Sequence, residues 1–293
     1  MVRGHNGRRE PPGRRVPQAI DRTRSMPDGP IIVKLGGSVI TDKSARNEPR
    51  LGKISEIADA ISSLDPGGWL VLIHGAGSFA HPVVREHRLH EGLSSRDQLK
   101  GFVEAKYWLL ELQRILVGAF QSRGVPVAPI MPSSCIVASD GRISSFNLAP
   151  IRRFMGLGLI PLLHGDLVPD SKRGLSVISG DRLALHLAER LGARKVIFGC
   201  DVDGLFDGDP KRDPNARLIP LVTPSNYDEV LRAAGGSGGP DVTGGMRNKV
   251  LESIRLARRG VEVVILNLNR PRDLVGAIRG ESIVCTRFPP VEG

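Results

Sequence analysis

The sequence predicts an α/β protein in which strands and helices alternate along the chain. Apolar runs of strand length, such as 69–73 and 159–163, are separated by segments whose apolar residues recur at helical spacing. Several of these runs end in glycine and a polar residue, at the position where open α/β sheets bind their ligands. A length of 293 residues is enough for one large α/β domain or two small ones with an ample core.

The composition is that of a globular protein, with 40% hydrophobic and 25% charged residues. No apolar run reaches the roughly 20 residues needed to cross a bilayer, which excludes a membrane span. The cysteines are Cys135, Cys200 and Cys285, which are odd in number and far apart. They indicate reduced thiols in a cytoplasmic protein, with neither a disulfide framework nor a zinc motif.

Of the net charge of +10, +4 lies in the first 28 residues and the remaining +6 is spread over the rest of the chain. Residues 1–28 hold seven arginines against three acidic residues, which gives +4, and they have no apolar periodicity. We expect a disordered basic tail, with a transit peptide or a translation start at Met26 as alternatives. Aromatic residues are only 4% of the chain and do not alternate with basic ones, so nucleic-acid binding is the minor hypothesis.

The first strand, predicted at 30–35, carries Lys34 near its end and runs into Gly36-Gly37-Ser38, with Lys43 shortly after. Burying the charge of a lysine in a strand is energetically unfavourable unless an anion pairs with it. Lys34 is therefore a candidate phosphate ligand. An edge lysine with its amine in solvent fits the pattern equally well. A helix is predicted over 53–64, and Pro66 and two glycines end it.

A glycine-rich turn, His74 to Pro82, follows the next strand at 69–73. Glycines let the backbone approach a charged ligand, and free N–H groups there can bind phosphate oxygens. His81 could add a hydrogen bond and a proton to neutralise a dianion. Gly75, Gly77 and Ala80 also fit the dinucleotide-binding pattern, but the acidic ribose ligand expected after a second strand is missing.

The middle of the chain should contribute mainly core. We expect an irregular segment at 83–93, a long helix at 96–123 with a broad apolar face, a strand at 125–130 and a short helix at 147–157. Part of that apolar face could line a pocket beside the glycine turn. The buried strand at 159–163 then ends in His164-Gly165-Asp166, again placing glycine and a polar residue at a carboxyl end.

A helix opens at Ser179-Gly180-Asp181, where Asp181 either caps the helix or orients two phosphate-binding lysines. The strand at 195–199 leads into the acidic loop 201–210. This loop resembles a calcium loop only superficially, because its twelfth position is Arg212 and not glutamate.

Residues 235–245 form a glycine-rich segment that we expect to be mobile, and Thr243 should begin the helix that carries Lys249. A flexible lid, a helix N-terminus and a lysine would together clamp a transferring phosphoryl group. A solvated surface lysine is the alternative. A last strand is predicted at 262–266, followed by a short tail from Arg270.

Six blocks in this order resemble the amino acid kinase superfamily and are most similar to its isopentenyl phosphate kinases. The resemblance covers about residues 30–288, and the blocks are Lys34 to Ser38, His74 to Pro82, His164 to Asp166, Ser179 to Asp181, Asp201 to Phe206, and Asp241 to Lys249. The resemblance implies an open αβα sandwich with a largely parallel central sheet. It also implies one domain over 29–293, with an acceptor-binding half at about 29–175 and a nucleotide-binding half at about 176–288, usually as a homodimer.

The implied activity is transfer of the γ-phosphoryl group of ATP, with Mg²⁺, to isopentenyl phosphate in isoprenoid biosynthesis. Members that act on carboxylates generally have no histidine at position 81, whereas isopentenyl phosphate and fosfomycin kinases do. Fosfomycin monophosphate kinase, or another phosphate or carboxylate kinase of the superfamily, is therefore the alternative acceptor class. A dinucleotide-binding oxidoreductase is disfavoured.

The resemblance also assigns roles to individual residues and leaves the metal ligands unassigned. The catalytic set is Lys34, Lys43, His81, Asp181 and Lys249. The acceptor side is Ala76, His81 and Gly165. The ATP side is Lys34, Gly36, Gly37, Ser38, Gly77, Asp181, Asp203, Gly204, Gly245 and Lys249. Phe79, Phe102 and Ile136 are candidates for an apolar pocket wall. Ala76, Ala80 and Arg247-Asn248 depart from the family pattern.

Overall fold

A computed structural model describes residues 29–210, 212–235 and 245–291. The basic tail at 1–28, most of the glycine-rich segment and Thr243 lie outside the described residues, so the expectations for them stay predictions. The description begins with the first predicted strand and includes the helix that carries Lys249.

The chain contains both strands and helices, as the sequence predicts, although several strands and some helices follow one another directly. The strands are β1 Ile31–Leu35, β2 Leu70–His74, β3 Val127–Pro129, β4 Ile136–Ser139, β5 Arg142–Phe146, β6 Ile160–His164, β7 Asp166–Asp170, β8 Gly174–Ile178, β9 Lys195–Cys200, β10 Leu205–Phe206, β11 Leu218–Ile219, β12 Glu262–Asn267 and β13 Cys285–Phe288. The helices are α1 Gly37–Ile40, α2 Leu51–Ser62, α3 Gly77–Glu86, α4 Gln98–Gln121, α5 Ala149–Gly156, α6 Gly180–Leu191, α7 Tyr227–Gly235, α8 Gly245–Ala257 and α9 Pro271–Arg279.

The central sheet has seven strands in the order β13-β12-β9-β1-β2-β6-β3. Every neighbouring pair is parallel except β12 and β13. Since β1 lies between β9 and β2, Lys34 belongs to an interior strand, and the edge-lysine alternative is wrong. Parallel strands place their carboxyl ends at one edge, so the segments after β1, β2, β6 and β9 lie side by side.

Helices cover both faces of this sheet because alternate residues of each strand point to opposite sides. On one face Ile32, Val71 and Phe198 pack with residues of α5, α6 and α8. On the other face Ile31, Val33 and Leu72 pack with residues of α1, α2, α4 and α9. The predicted αβα sandwich with a largely parallel sheet is therefore confirmed.

A second sheet of four strands, in the order β5-β4-β7-β8, lies beside the central one. Asp170 joins its two hairpins, because its carboxylate accepts hydrogen bonds from the backbone of Asp140, Gly141 and Arg173 and from the Ser176 hydroxyl. These strands were not predicted from the sequence, since polar residues, proline or glycine interrupt their short apolar runs.

Two local predictions were wrong. The segment 83–93 was expected to be irregular, but α3 continues through Glu86 because Phe79, Ala80 and Val83 face the core at helical spacing. The chain after Arg270 was expected to be a short tail, but α9 packs on one face of the sheet and β13 forms its edge strand. Among the described residues, the search for a helix long and apolar enough to cross a membrane found none.

A candidate phosphate-transfer site

Two glycine turns lie in contact at the carboxyl ends of β1 and β2. A Cβ atom on Gly37 would lie 2.6 Å from the Gly77 nitrogen, and one on Gly75 would lie 2.7 Å from the Gly37 nitrogen. Gly77 also has a φ of +51°, which other residues rarely adopt. These positions need glycine because the two backbones are in contact here. This contact brings many backbone N–H groups together at one point of the sheet edge.

Thr41 links the two turns and was not singled out from the sequence. Its hydroxyl donates to the Gly37 carbonyl oxygen at 2.8 Å and accepts from the Ser78 N–H at 3.0 Å. The hydrogen bonds connect α1, which contains Ser38, to the first turn of α3. The N-termini of both helices are thereby held beside each other, and their partial positive charges favour an anion.

Asp181 lies between two lysines that are far apart in the sequence. The Lys34 Nζ is 2.9 Å from Oδ1 and the Lys249 Nζ is 3.3 Å from Oδ2. The lysine side chains are only 13% and 9% exposed, and that of Asp181 is 25% exposed. Ser179 caps α6 through its hydroxyl, which accepts from the Arg182 N–H, so the capping interpretation of Asp181 is wrong.

The pKa values of Asp181 and Lys249 follow from burial and from opposite charges. Burial by itself raises the pKa of Asp181, but the ammonium groups of Lys249 and Lys34 outweigh it and hold the pKa well below its ordinary range. Burial likewise lowers the pKa of Lys249, and the Asp181 carboxylate raises it above its ordinary value. Asp181 and Lys249 are therefore both ionised at neutral pH, and the two lysines with the one carboxylate carry a formal charge of +1.

Two further groups surround the Lys249 ammonium. Its Nζ lies 3.4 Å from the Cys200 Sγ and 5.4 Å from the centre of the Phe198 ring, both on β9. An aromatic face attracts a cation, and the contact is stronger where water is excluded. The alternative of a solvated Lys249 is wrong. The sequence analysis treated Cys200 only as a reduced thiol, because nothing in its neighbourhood along the chain indicates this contact.

The other predicted site residues lie at the same edge with different surroundings. Lys43 is exposed, and its Nζ lies 3.6 Å from Oδ2 of Asp201, just after β9. Asp203 accepts from the Asn267 amide at 2.8 Å and pairs with the Arg270 guanidinium at 2.9 Å. Gly204 follows with a φ of +159°. Gly245 begins α8, so the helix N-terminus lies one turn before Lys249.

The acceptor-side candidates gather around α3. Ala76 is the residue before its first turn, and His81 lies on its exposed side. Gly165 donates its N–H to the His74 carbonyl oxygen at 3.1 Å, and a Cβ there would lie 2.8 Å from the Gly180 nitrogen. The turn after β6 is thus joined to both the glycine turn and the start of α6.

Phe79, Phe102 and Ile136 do not form one wall, because they belong to three different apolar clusters. The cluster beneath the predicted acceptor-side turn instead draws on α3, the segment at Leu89, α4, β7 and β8. It contains Ala76, Ala80 and Val83 around α3, Phe102, Ala105 and Leu109 of α4, and Leu167 of β7. A separate buried ion pair borders it, with Lys106 Nζ 2.6 Å from Oδ1 of Asp166.

The comparisons with known proteins agree with this geometry. A model of the amino acid kinase family matches residues 29–267. The chain is 38% identical over 266 residues to an isopentenyl phosphate kinase of Methanothermobacter thermautotrophicus, a match covering 88% of this chain and 98% of the relative. For the enzyme of the same name from Methanocaldococcus jannaschii the identity is 32%, and the match covers 85% and 95%. A solved isopentenyl phosphate kinase superimposes with a TM-score of 0.75 at 35% identity, covering 88% and 98%.

The fold and the lysine-lined site together define a phosphotransferase of the amino acid kinase type. The chain belongs to the amino acid kinase family and, within it, to the isopentenyl phosphate kinases.

Proposed function

We propose that the protein transfers the γ-phosphoryl group of ATP to isopentenyl phosphate, giving ADP and isopentenyl diphosphate. An oxygen of the acceptor phosphate forms a bond to the γ-phosphorus, and the bond from that phosphorus to the β–γ bridging oxygen breaks. The acceptor oxygen is already ionised near neutral pH, so no general base is required. Such a reaction needs mainly positioning and charge stabilisation from the protein.

The bridge between Lys34, Asp181 and Lys249 is the observation that supports this proposal most. Two buried ammonium groups are fixed by one carboxylate beside the glycine turns and the helix N-termini. Their net positive charge suits the negative charge of two phosphate groups brought together. In our proposal the half at 176–288 binds ATP through Asp181, Asp203, Gly204, Gly245 and Lys249, and the first half adds Lys34, Gly36, Gly37, Ser38 and Gly77.

The acceptor phosphate is proposed to bind to the half at 29–175, through Ala76, His81 and Gly165, with Lys43 stabilising the transition state. The apolar cluster beneath Ala76 and Ala80 favours an acceptor that has a hydrocarbon tail, rather than an acceptor with a carboxylate or an epoxide. His81 is exposed to solvent on α3, the helix that begins at this turn.

Mg²⁺ is proposed to accompany ATP. Magnesium in kinases is usually bound by substrate phosphates, waters and one or two carboxylates, so a cluster of protein ligands is not required. The described residues contain no group of three or more His, Cys, Asp or Glu that could hold a metal, and we propose the ATP phosphates as the main ligands. Bound there, Mg²⁺ would neutralise phosphate charge, while the lysines orient the phosphate groups.

Homodimerisation and a cytoplasmic location are also proposals. On α4 the side chains of Leu99, Val103, Tyr107 and Leu110 lie along one face and are between 43% and 65% exposed. Such an unpartnered apolar face suits a second copy of the chain. Light scattering should give the dimer mass for the wild type and the monomer mass for Val103→Glu, and a monomeric wild type would refute the dimer.

The test of the function is ATP-dependent ADP release with Mg²⁺, comparing isopentenyl phosphate, dimethylallyl phosphate, fosfomycin monophosphate, aspartate, glutamate and UMP. Saturable turnover with isopentenyl phosphate and formation of its diphosphate are expected. Turnover only with fosfomycin monophosphate would replace the acceptor while retaining the phosphotransfer site. No turnover with any of the six would refute the proposed function.

A further inference from the structure

We propose that His74 and His164 are positioning residues, a pair of neutral imidazoles that orient the peptide bonds following β2 and β6. The inference rests on the proposed function, because the peptide after His74 leads into the acceptor-side turn. Neither ring belongs to the set of phosphate ligands described above.

The two histidines occupy equivalent places at the ends of adjacent strands. They are paired in register as the last residues of β2 and β6, and both are buried. Their ring centres are 5.3 Å apart, with an angle of 38° between the planes. The pair therefore lies directly beneath the point where the turn at Gly75 and the turn at Gly165 leave the sheet.

Each ring contacts the carbonyl oxygen of the glycine that follows it. The distance is 3.1 Å from His74 Nδ1 to the Gly75 oxygen and 2.9 Å from His164 Nδ1 to the Gly165 oxygen. A carbonyl oxygen only accepts hydrogen bonds, so Nδ1 carries the proton in both rings. In a neutral ring Nε2 is then unprotonated.

The surroundings keep both rings neutral. Burial, together with the neighbouring His164, lowers the pKa of His74 to about 3. Burial also lowers the pKa of His164, although the Asp166 carboxylate opposes it. The charged groups facing the pair are Lys34 on the His74 side and the Asp166–Lys106 ion pair on the His164 side, so cations face both rings.

The contact determines the direction of the next N–H group. In a trans peptide the C=O and N–H bonds point in opposite directions. With the Gly75 oxygen held against the His74 ring, the Ala76 N–H points away from the ring, at the position just before α3. The contact between the Gly165 oxygen and the His164 ring fixes the direction of the Asp166 N–H bond in the same way.

Histidine at these positions carries a cost in stability, which indicates that one of its ring nitrogens has a role. The Nε2 atom of each ring is buried and has no hydrogen-bond partner among the described residues. A buried polar atom without a partner is unfavourable, and leucine of similar size would avoid that cost. The Nδ1 donor is therefore the feature that distinguishes histidine from an apolar residue here.

Substitution by asparagine and by glutamine tests the roles of the two ring nitrogens separately. The asparagine amide can reproduce the Nδ1 donor, whereas the glutamine amide reaches the Nε2 position. We expect His74→Asn to keep the KM for isopentenyl phosphate within about threefold. His74→Gln should raise it about tenfold or more while the KM for ATP stays within about twofold. His186→Gln, on a half-buried histidine stacked on Phe146, is the control. Equal behaviour of the two His74 variants, or equal changes in both KM values, would overturn the proposal.

A measurement on the wild type distinguishes this inference from the proposed function. In protein labelled with ¹⁵N-histidine, the signals absent from His74→Asn and His164→Asn identify the pair. Both rings should show the Nδ1–H tautomer whichever acceptor the enzyme uses, and the His74 ring should not titrate between pH 5 and 8. An Nε2–H tautomer, or titration in that range, would refute the neutral pair even if isopentenyl phosphate is phosphorylated.

Discussion

The Asp181 carboxylate bridges two ammonium groups, with Lys34 Nζ at 2.9 Å from one oxygen and Lys249 Nζ at 3.3 Å from the other. These residues come from β1, α6 and α8, so one side chain fixes three elements relative to each other. Because the three groups are mostly buried, their geometry is held in place before a ligand binds, which lowers the cost of arranging charges during phosphoryl transfer.

Replacing Asp181 by Asn should reduce kcat/KM about 10²-fold, the scale on which one preorganised electrostatic contact acts. The amide keeps the shape but leaves two buried ammonium groups repelling each other. Steady-state kinetics with ATP and isopentenyl phosphate measures the loss. Asp97→Asn, an exposed aspartate near Lys100, is the control and should retain wild-type kinetics. Unchanged kinetics in Asp181→Asn would remove it from the site.

Replacing Lys249 by Met should raise the KM for ATP by tenfold or more and lower kcat, while binding of the acceptor stays close to that of the wild type. Methionine keeps the apolar stem beside Phe198 but removes the charge that faces the nucleotide phosphates in our proposal. Calorimetric titration with each substrate separates the two effects. The exposed lysine variant Lys172→Met is the control. A selective loss of acceptor binding would contradict the assignment.

Replacing His81 by Ala should lower kcat about 10² to 10³-fold, as expected when one charge-stabilising donor is lost. Its exposed position on α3 makes a large loss of stability unexpected. Turnover and the thermal midpoint should be measured on the same preparation, with His90→Ala as the control. Near wild-type turnover would show that the acceptor phosphate is bound without this imidazole.

Replacing Lys106 by Met should destabilise the protein by about 3–5 kcal/mol, since Asp166 would remain buried without a counterion. The Lys106 amine also donates to the Ser133 hydroxyl at 2.8 Å, which would lose this partner. Lys100→Met on the same helix removes only an exposed ion pair and should change the free energy of unfolding by less than about 0.5 kcal/mol. Equal effects of the two variants in urea unfolding would contradict the difference in burial.

Acid should destabilise the protein through His74. Its pKa falls from 6.5 to about 3 on folding. As the pH drops below 6.5, His74 therefore binds a proton in the unfolded chain but stays unprotonated in the folded protein, which favours unfolding. At pH 5 this difference costs about 2 kcal/mol, at roughly 1.4 kcal/mol per pH unit. In His74→Asn the loss of stability between pH 7 and pH 5 should be smaller than in the wild type by about that amount. Urea unfolding of both proteins at pH 7 and pH 5 measures this difference, and an equal loss of stability in the two would contradict the prediction.

Much of the fold could be predicted from local pattern. The apolar runs at 69–73 and 159–163 are strands, and the helical spacing in 96–123 is a helix, because burial on a sheet or a helix face leaves a periodic signal along the chain. Short strands such as β10 and β13 were missed because too few residues carry the pattern.

The sequence by itself determined the α/β class and the order of glycine, lysine and histidine blocks, and through their resemblance the family. Local composition and spacing suffice for these predictions, since each block is recognised from a few neighbouring residues. The tertiary structure decided which side chains meet: Asp181 with two lysines, Cys200 with Lys249, and His74 with His164. Such contacts join residues separated by tens to hundreds of positions, and only the order of strands in the sheet brings their ends to one edge.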